Sequence, residues 1–427
     1  MKVVVIGTGP AGITAAQTVR SLDPDGSVVA LCAEPYPPYS PPAMADHFLT
    51  GRTTTLYWKG PDVVARLGID ERRDVVVTGV DTEGRAVVLD GGEHVGYDRL
   101  IVASGSRLYA PIPGAELPGV YDFKSLRRAT ELIGHVRSGE ATSALIVGAG
   151  LIGIELSLLL SELGVATTVV EREGWAMPRL LDEVTAEVVE QAVAAKGVTL
   201  RKGTEAAAFE GAGSVSGVRL RSGDLLTADL YIAATGVKPH TELLAGSTIT
   251  AGWGIHVDDG LRTSVSGVYA AGDVAEVADW LTGERYVHAI FPNAVAQGRI
   301  AGTNALGGET LYEGAEAMNS LKHLGVPVIA MGTTQDPDQV LRSLDGSGLR
   351  SVYLRDGRII GAQLAGDTHA AGLYHSLMLR RRNVEGFGEH LVDPSFTLAT
   401  VVWEATRPGL SSRRTIHSSA SGGPSRI

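Results

Sequence analysis

The chain carries the same phosphate-gripping loop twice, as Gly7-Thr8-Gly9-Pro10-Ala11-Gly12 and as Gly148-Ala149-Gly150-Leu151-Ile152-Gly153. Each copy follows an apolar strand, Val3-Val4-Val5-Ile6 or Ala144-Leu145-Ile146-Val147, and opens an apolar helix. In that setting the first glycine makes the turn, the second lets backbone approach a pyrophosphate, and the third packs helix on strand. The helix N-terminus adds free N–H groups and the positive end of a dipole. A second strand ending in an acid completes each unit: Ser27 to Ala33 leads to Glu34, and Thr167 to Val170 leads to Glu171. Glu34 lies 22 residues beyond Gly12, and Glu171 lies 18 beyond Gly153. A carboxylate at such a strand end accepts the hydroxyls of an adenosine ribose. One loop would be a generic nucleotide site. Two imply two dinucleotides handled together, which is what passing electrons from a nicotinamide to a flavin requires.

The repeat extends past the loops. Tyr97 to Ser106 (YDRLIVASGS) reads as a buried strand closing in the turn Ala103-Ser104-Gly105, and Leu230 to Gly236 closes the second unit in Ala234-Thr235-Gly236. Runs at Val75–Val77 and Ala86–Leu89, joined through Asp81, Glu83 and Gly84, predict a meander. Pro111, Pro113, Pro118 and Gly119 mark a crossing between units. From about His240 the chain is expected to return to the first unit through Gly267-Val268-Tyr269-Ala270-Ala271-Gly272-Asp273. The pattern predicts an α/β chain with two Rossmann-like dinucleotide-binding domains and a C-terminal α+β domain. The first domain spans 1–112 and 240–317, the second 113–239 and the third 318–405. A length of 427 residues suits two or three domains. The small, polar residues 406–427 are expected to be a disordered tail.

Composition narrows the function classes. A formal charge of −11 disfavours general nucleic-acid binding, because phosphate backbones attract basic faces. The single cysteine, Cys32, excludes an internal disulfide or dithiol pair. With a start at Met1-Lys2-Val3 that shows no leader pattern, it points to a reducing, cytoplasmic setting. The apolar stretch Ala144 to Val170 is read as strand, loop, helix and strand, since its glycine loop, Glu155 and Glu162 interrupt any membrane span. The eleven histidines show no metal-ligand spacing, and there are no cysteine ligands for a cluster.

Asp273 follows an apolar strand in a Gly-Asp turn and suits hydrogen bonding to the ribityl hydroxyls of a flavin. A helix opening at Pro292-Asn293-Ala294, with proline in its first turn, would aim backbone N–H groups at the flavin pyrimidine. Glu171 repels a 2′-phosphate, which predicts NADH over NADPH, although Arg172 beside it is a residue able to accept that phosphate.

Seven segments carry a resemblance: GTGPAG with Glu34, YSPPAMADHFLTG, YDRLIVASGS, LIVGAGLIGIE with Glu171, YIAATGVKP, VYAAGDVAE and FPNAVAQGRIAG. Over about residues 1–405 the chain resembles the FAD-dependent pyridine nucleotide oxidoreductases of the glutathione-reductase superfamily. Within it, the sequence is most similar to the branch of rubredoxin and ferredoxin reductases, the flavin part of NADH nitrite reductase, and CoA-disulfide reductase-like proteins. The resemblance implies FAD on the first loop and NAD on the second, with Asp273 on the ribityl chain and Glu155 close to the nicotinamide. It also implies a C-terminal domain that covers the flavin or forms an interface, in a monomer or a homodimer.

The departures from that pattern matter as much. Disulfide-reducing relatives carry a reactive cysteine in the loop after the ribose-binding acid, where this chain has Pro42. Cys32, ten residues earlier, reads as a buried core thiol. Ferredoxin-reductase relatives place a lysine in this loop, where this chain has Asp46-His47. His47 is a candidate proton donor, with packing as the plainer reading. Arg380-Arg381-Arg382 is the strongest basic cluster, suited either to docking an acidic partner or to complementing a helix end. Tyr39, Phe48, Trp58 and Phe291 are candidate flavin cover or ordinary packing.

The expected function is an NADH:acceptor reductase that delivers hydride to FAD and electrons to an external iron–sulfur carrier such as a ferredoxin or rubredoxin. The alternatives are an NADH oxidase or small-molecule reductase, and a flavoprotein subunit of a larger redox complex.

Overall fold

The computed structural model describes residues 1–321, 325, 327–346 and 348–406, with side chains to 402. The expected disordered tail therefore lies, from 407 onward, outside the described residues. Val3, Val4 and Val5 are each at most 1% exposed, and such a continuous apolar run fits only a strand covered on both faces. Lys2–Ile6 is accordingly the central strand of a parallel sheet ordered 268–270, 99–102, 2–6, 27–31, 70–72. Helices Pro10–Leu22 and Phe291–Ala305 pack together against it, brought close by glycines: a Cβ on Gly298 would stand 2.2 Å from the carbonyl oxygen of Ala11. The meander of strands 77–81, 86–89 and 94–96 shares the same core through Val80, Val87 and Val95.

The second unit repeats this plan. Its parallel sheet runs 199–201, 166–170, 143–147, 230–233, 120–121, with helices Leu151–Glu162 and Glu183–Ala195 and a meander of 206–210, 217–220 and 225–226. The stretch from Ala144 to Val170 is thus strand, loop, helix and strand as expected. Among the described residues no helix is long and apolar enough to cross a membrane. The chain passes from one unit to the other along two short strands, Ser106–Leu108 and Val237–Pro239, which pair antiparallel.

Five strands form an antiparallel sheet ordered 318–321, 328–332, 358–366, 348–355, 339–345. Helix Ala371–Leu379 covers one face, with Tyr374 packed among Val352 and Leu364. The other face, through Val328, Ala330 and Leu349, joins the core of the second unit. Asp182, which caps helix 183–195, fastens the two by accepting from the Tyr353 hydroxyl at 2.7 Å.

Several boundaries differ from the sequence reading. The strand expected over Tyr97–Ser106 is divided, because Gly105 turns the chain at φ 70° and Ser106 begins the crossing strand. Helix Leu126–Arg137 is capped by Ser125, whose side chain accepts from the amide of Arg128. Cys32 follows its strand, which ends at Leu31.

Candidate functional site

The two loops are built on one plan, and the three glycines of each do separate work. Gly7 and Gly148 have φ of 94° and 107°, and a Cβ on either would lie 2.3 or 2.6 Å from the carbonyl oxygen of Ala103 or Ala234. The turns Ala103-Ser104-Gly105 and Ala234-Thr235-Gly236 are therefore pressed against the loops. A Cβ on Gly12 or Gly153 would collide with the oxygen of Gly7 or Gly148 at 1.9 or 2.0 Å, so the third glycine seats helix on loop. Gly9 and Gly150 differ. Nothing lies within 4 Å of a Cβ built on them, and each is the N-cap of its helix with no side-chain cap. The open space and uncapped first turns (Pro10-Ala11, Leu151-Ile152) form a cradle that fits a phosphate at both loops.

The acids stand where the second strands end. Glu171 is buried; its Oε2 accepts from the amide of Ala149 at 2.8 Å and its Oε1 from the amide of Glu173 at 3.0 Å. Arg172 points out and pairs with Glu173 at 2.9 Å. Glu34 accepts from the Tyr39 hydroxyl at 2.6 Å through Oε2 and from the amide of Arg127 at 3.1 Å through Oε1. Burial first, and Glu34 second, push the Tyr39 phenol well above its usual pKa and keep it a donor. A carboxylate has about four lone-pair sites, so both acids retain room for ribose hydroxyls.

Asp273 is half-buried and accepts from Ser106 Oγ at 2.7 Å and from the Lys124 ammonium at 3.0 Å, both through Oδ2. Its turn is fixed by Gln297, whose Oε1 accepts from the amide of Gly272 at 2.7 Å. Helix 291–305 begins one residue before Pro292, and Ala294 packs toward Gly272. The expectation for Pro292-Asn293-Ala294 concerns backbone N–H groups, and the Asn293 side chain has a separate task. That side chain donates to the Glu316 carbonyl at 2.9 Å and accepts from the Glu316 amide at 3.2 Å, which uses it to anchor the segment entering the C-terminal sheet.

His47 sits on helix Met44–Thr50, where Nδ1 meets the Arg52 carbonyl at 3.0 Å and the ring packs edge-on to Phe48. Glu155 lies half-buried in helix 151–162, beyond the second loop. Cys32 is buried, and that burial raises its thiol pKa, the opposite of an activated thiolate. Pro42 stands in a 3-10 turn over 41–43. Of the arginine cluster, Arg381 lies over the Trp280 ring at 5.1 Å and donates to its carbonyl, so this member is engaged within the chain. Among the aromatics, Phe48 packs on Phe123 and Trp58 meets Phe291 edge-on at 5.1 Å.

Lys124, Arg127, Ser106 and Gln297 escaped the sequence reading. Gln297 had a signal: it lies four residues after Asn293, and two buried polar residues at that spacing share one helix face.

The family described as pyridine nucleotide-disulphide oxidoreductase matches residues 1–298. The NADH-dependent phenylglyoxylate dehydrogenase subunit epsilon of Aromatoleum evansii is 28% identical over 393 residues, covering 90% of this chain and 92% of that one. The rubredoxin-NAD(+) reductase of Alcanivorax borkumensis is 29% identical over 378 residues, covering 86% and 95%. A solved NAD-dependent persulfide reductase from A. fulgidus superposes with a TM-score of 0.82 at 26% identity, covering 93% of this chain and 80% of that one. The chain belongs to the pyridine nucleotide-disulphide oxidoreductase family. It is an oxidoreductase whose cofactors are FAD and NAD(P)H.

Proposed function

We propose that the protein is an NADH:acceptor reductase in which FAD occupies the first loop, NADH the second, and an iron–sulfur carrier protein such as a rubredoxin or ferredoxin takes the electrons. The carrying observation is the duplicated cradle, with open space at Gly9 and Gly150 and an acid beside each loop. Bound FAD supplies the chemistry of accepting hydride from NADH and releasing electrons singly. The chain's part is placement. The first turn from Pro10 to Gly12 meets the FAD pyrophosphate, Glu34 the ribose, and Asp273 the ribityl chain. The turn 103–105 and the start of helix 291–305 wall the flavin. On the second loop Glu171 takes the NADH ribose, and its buried charge disfavours a 2′-phosphate. Residues 1–112 with 240–317 are assigned to FAD, 113–239 to NADH and 318–405 to covering the site, in a cytoplasmic protein.

A protein acceptor is favoured because Pro42 stands where a reactive thiol would sit and Cys32 is a buried neutral thiol. Likeness to a rubredoxin-NAD(+) reductase along most of both chains supports the same choice. Likeness to a dehydrogenase subunit supports a second reading, a flavoprotein subunit working inside a larger redox complex. The test is anaerobic reduction of the yellow protein with NADH, followed by mixing with rubredoxin, ferredoxin or aerated buffer. Fast carrier reduction and sluggish reaction with air are expected. Air reoxidation at turnover rates, with no response to any carrier, would identify an oxidase instead.

A further inference from the structure

Two acids expected to face the flavin nucleotide, Glu34 and Asp273, lie far apart in sequence and on different strand ends. One four-residue stretch of chain touches both. Lys124 reaches Asp273 with its ammonium at 3.0 Å. Two residues on, the amide of Leu126 donates to the Tyr39 hydroxyl at 3.0 Å, and the amide of Arg127 donates to Glu34 at 3.1 Å. The Arg127 guanidinium also donates to the Ala33 carbonyl at 3.1 Å and pairs with Asp74 at 2.6 Å. Leu126 and Arg127 open helix 126–137, so these amides are the donors a helix leaves unpaired at its start. The positive end of that helix is turned toward Glu34.

The charge balance gives this arrangement a purpose. A dinucleotide pyrophosphate is itself negative, and the first loop meets it with only partial charge from one helix end. Two carboxylates in the same groove add repulsion unless each is matched. The Lys124 ammonium matches Asp273, and the second helix end, through the Arg127 amide, meets Glu34, while the Arg127 guanidinium is taken up by Asp74.

We propose that Lys124–Arg127 is a strap retaining the flavin nucleotide, with Lys124 the positioning residue that holds and neutralises Asp273. The chain that leaves the FAD side for the NADH side thereby governs how tightly FAD is held. The proposal rests on the assignment of FAD to the first loop.

The experiment titrates FAD into apoprotein and follows quenching of flavin fluorescence, for wild type, Gly9→Leu, Lys124→Met and Lys124→Arg. Thermal midpoints are recorded with and without FAD. Lys124→Met is expected to weaken FAD binding roughly 10- to 100-fold, the scale of one lost charged hydrogen bond. Lys124→Arg is expected to recover most of it, and the apoprotein midpoint is expected to move less than the holoprotein one. An Lys124→Met dissociation constant within twofold of wild type, with equal drops in both midpoints, would make the pair a plain tie between units and overturn the proposal. Undiminished FAD binding by Gly9→Leu would instead overturn the loop assignment, and the proposal with it.

Discussion

The amide of Ala149 donates to Glu171 Oε2 at 2.8 Å, so the acid ending one strand fastens the loop that ends its neighbour. Removing the carboxylate strands a buried donor as well as a ribose partner. Glu171→Ala is expected to lower kcat/KM for NADH roughly 10- to 100-fold, and for NADPH by less. Steady-state kinetics with both nucleotides decide it, and an unchanged ratio between them would show that Glu171 does not set the preference.

The glycines of the second loop separate binding from folding. Gly150→Leu enters open space at an ordinary φ of −71°, so the protein is expected to keep its thermal midpoint and its FAD while NADH reduction fails. Gly153→Ala drives a Cβ to 2.0 Å from the Gly148 oxygen and is expected to destabilise by on the order of 3 kcal/mol. Thermal melts beside stopped-flow flavin reduction distinguish the two.

Gln297→Leu leaves the Gly272 amide unpartnered in the core, at an expected cost of about 1–3 kcal/mol. Because that amide sits one residue before Asp273, the variant is also expected to release FAD faster. Comparing FAD loss on dilution with the shift in thermal midpoint checks both effects; loss of stability without faster release would confine Gln297 to packing.

Asp229 gathers four donors, the amides and hydroxyls of Thr142 and Ser143, within 3.0 Å through Oδ2. Led by the bond from the Thr142 amide, these hold its pKa near about 2. A folded pKa below the unfolded value of about 3.9 means the stabilisation is present above that value and lost as pH falls toward 2. The gap in thermal midpoint between wild type and Asp229→Ala is expected to be full at pH 6 and to close between about pH 4 and 2. A gap constant over that range would show that the carboxylate charge is not involved.

What the sequence made legible was local. The requirement for glycine at Gly7, Gly12, Gly148 and Gly153 arises within a few residues or from one neighbouring strand, and their spacing carries it. The meander was legible from its apolar runs, although its first strand lies at Val77–Asp81 and not at Val75–Val77, because the chain is still completing a turn after Asp74, at φ 54°. The polar ties were not legible. Lys124 meets Asp273 across 149 residues, and such a pair has no period, no spacing and no required residue type. The Asn293 side chain's tie to Glu316, 23 residues on, was equally silent in the sequence. The short strand Ser106–Leu108 was not legible, because three residues of mixed polarity carry no run or alternation.

The paired crossing strands, Ser106–Leu108 beside Val237–Pro239, give the second unit the character of a guest. The chain leaves its host and re-enters it at one doorway, and all five strands of the host sheet come from outside the interval. A module with neighbouring ends can be lifted out or exchanged while its host remains closed. On the proposed assignment, nucleotide preference travels with such a cassette, and the exchange has to keep Lys124 to Arg127, which reach back to Asp273 and Glu34.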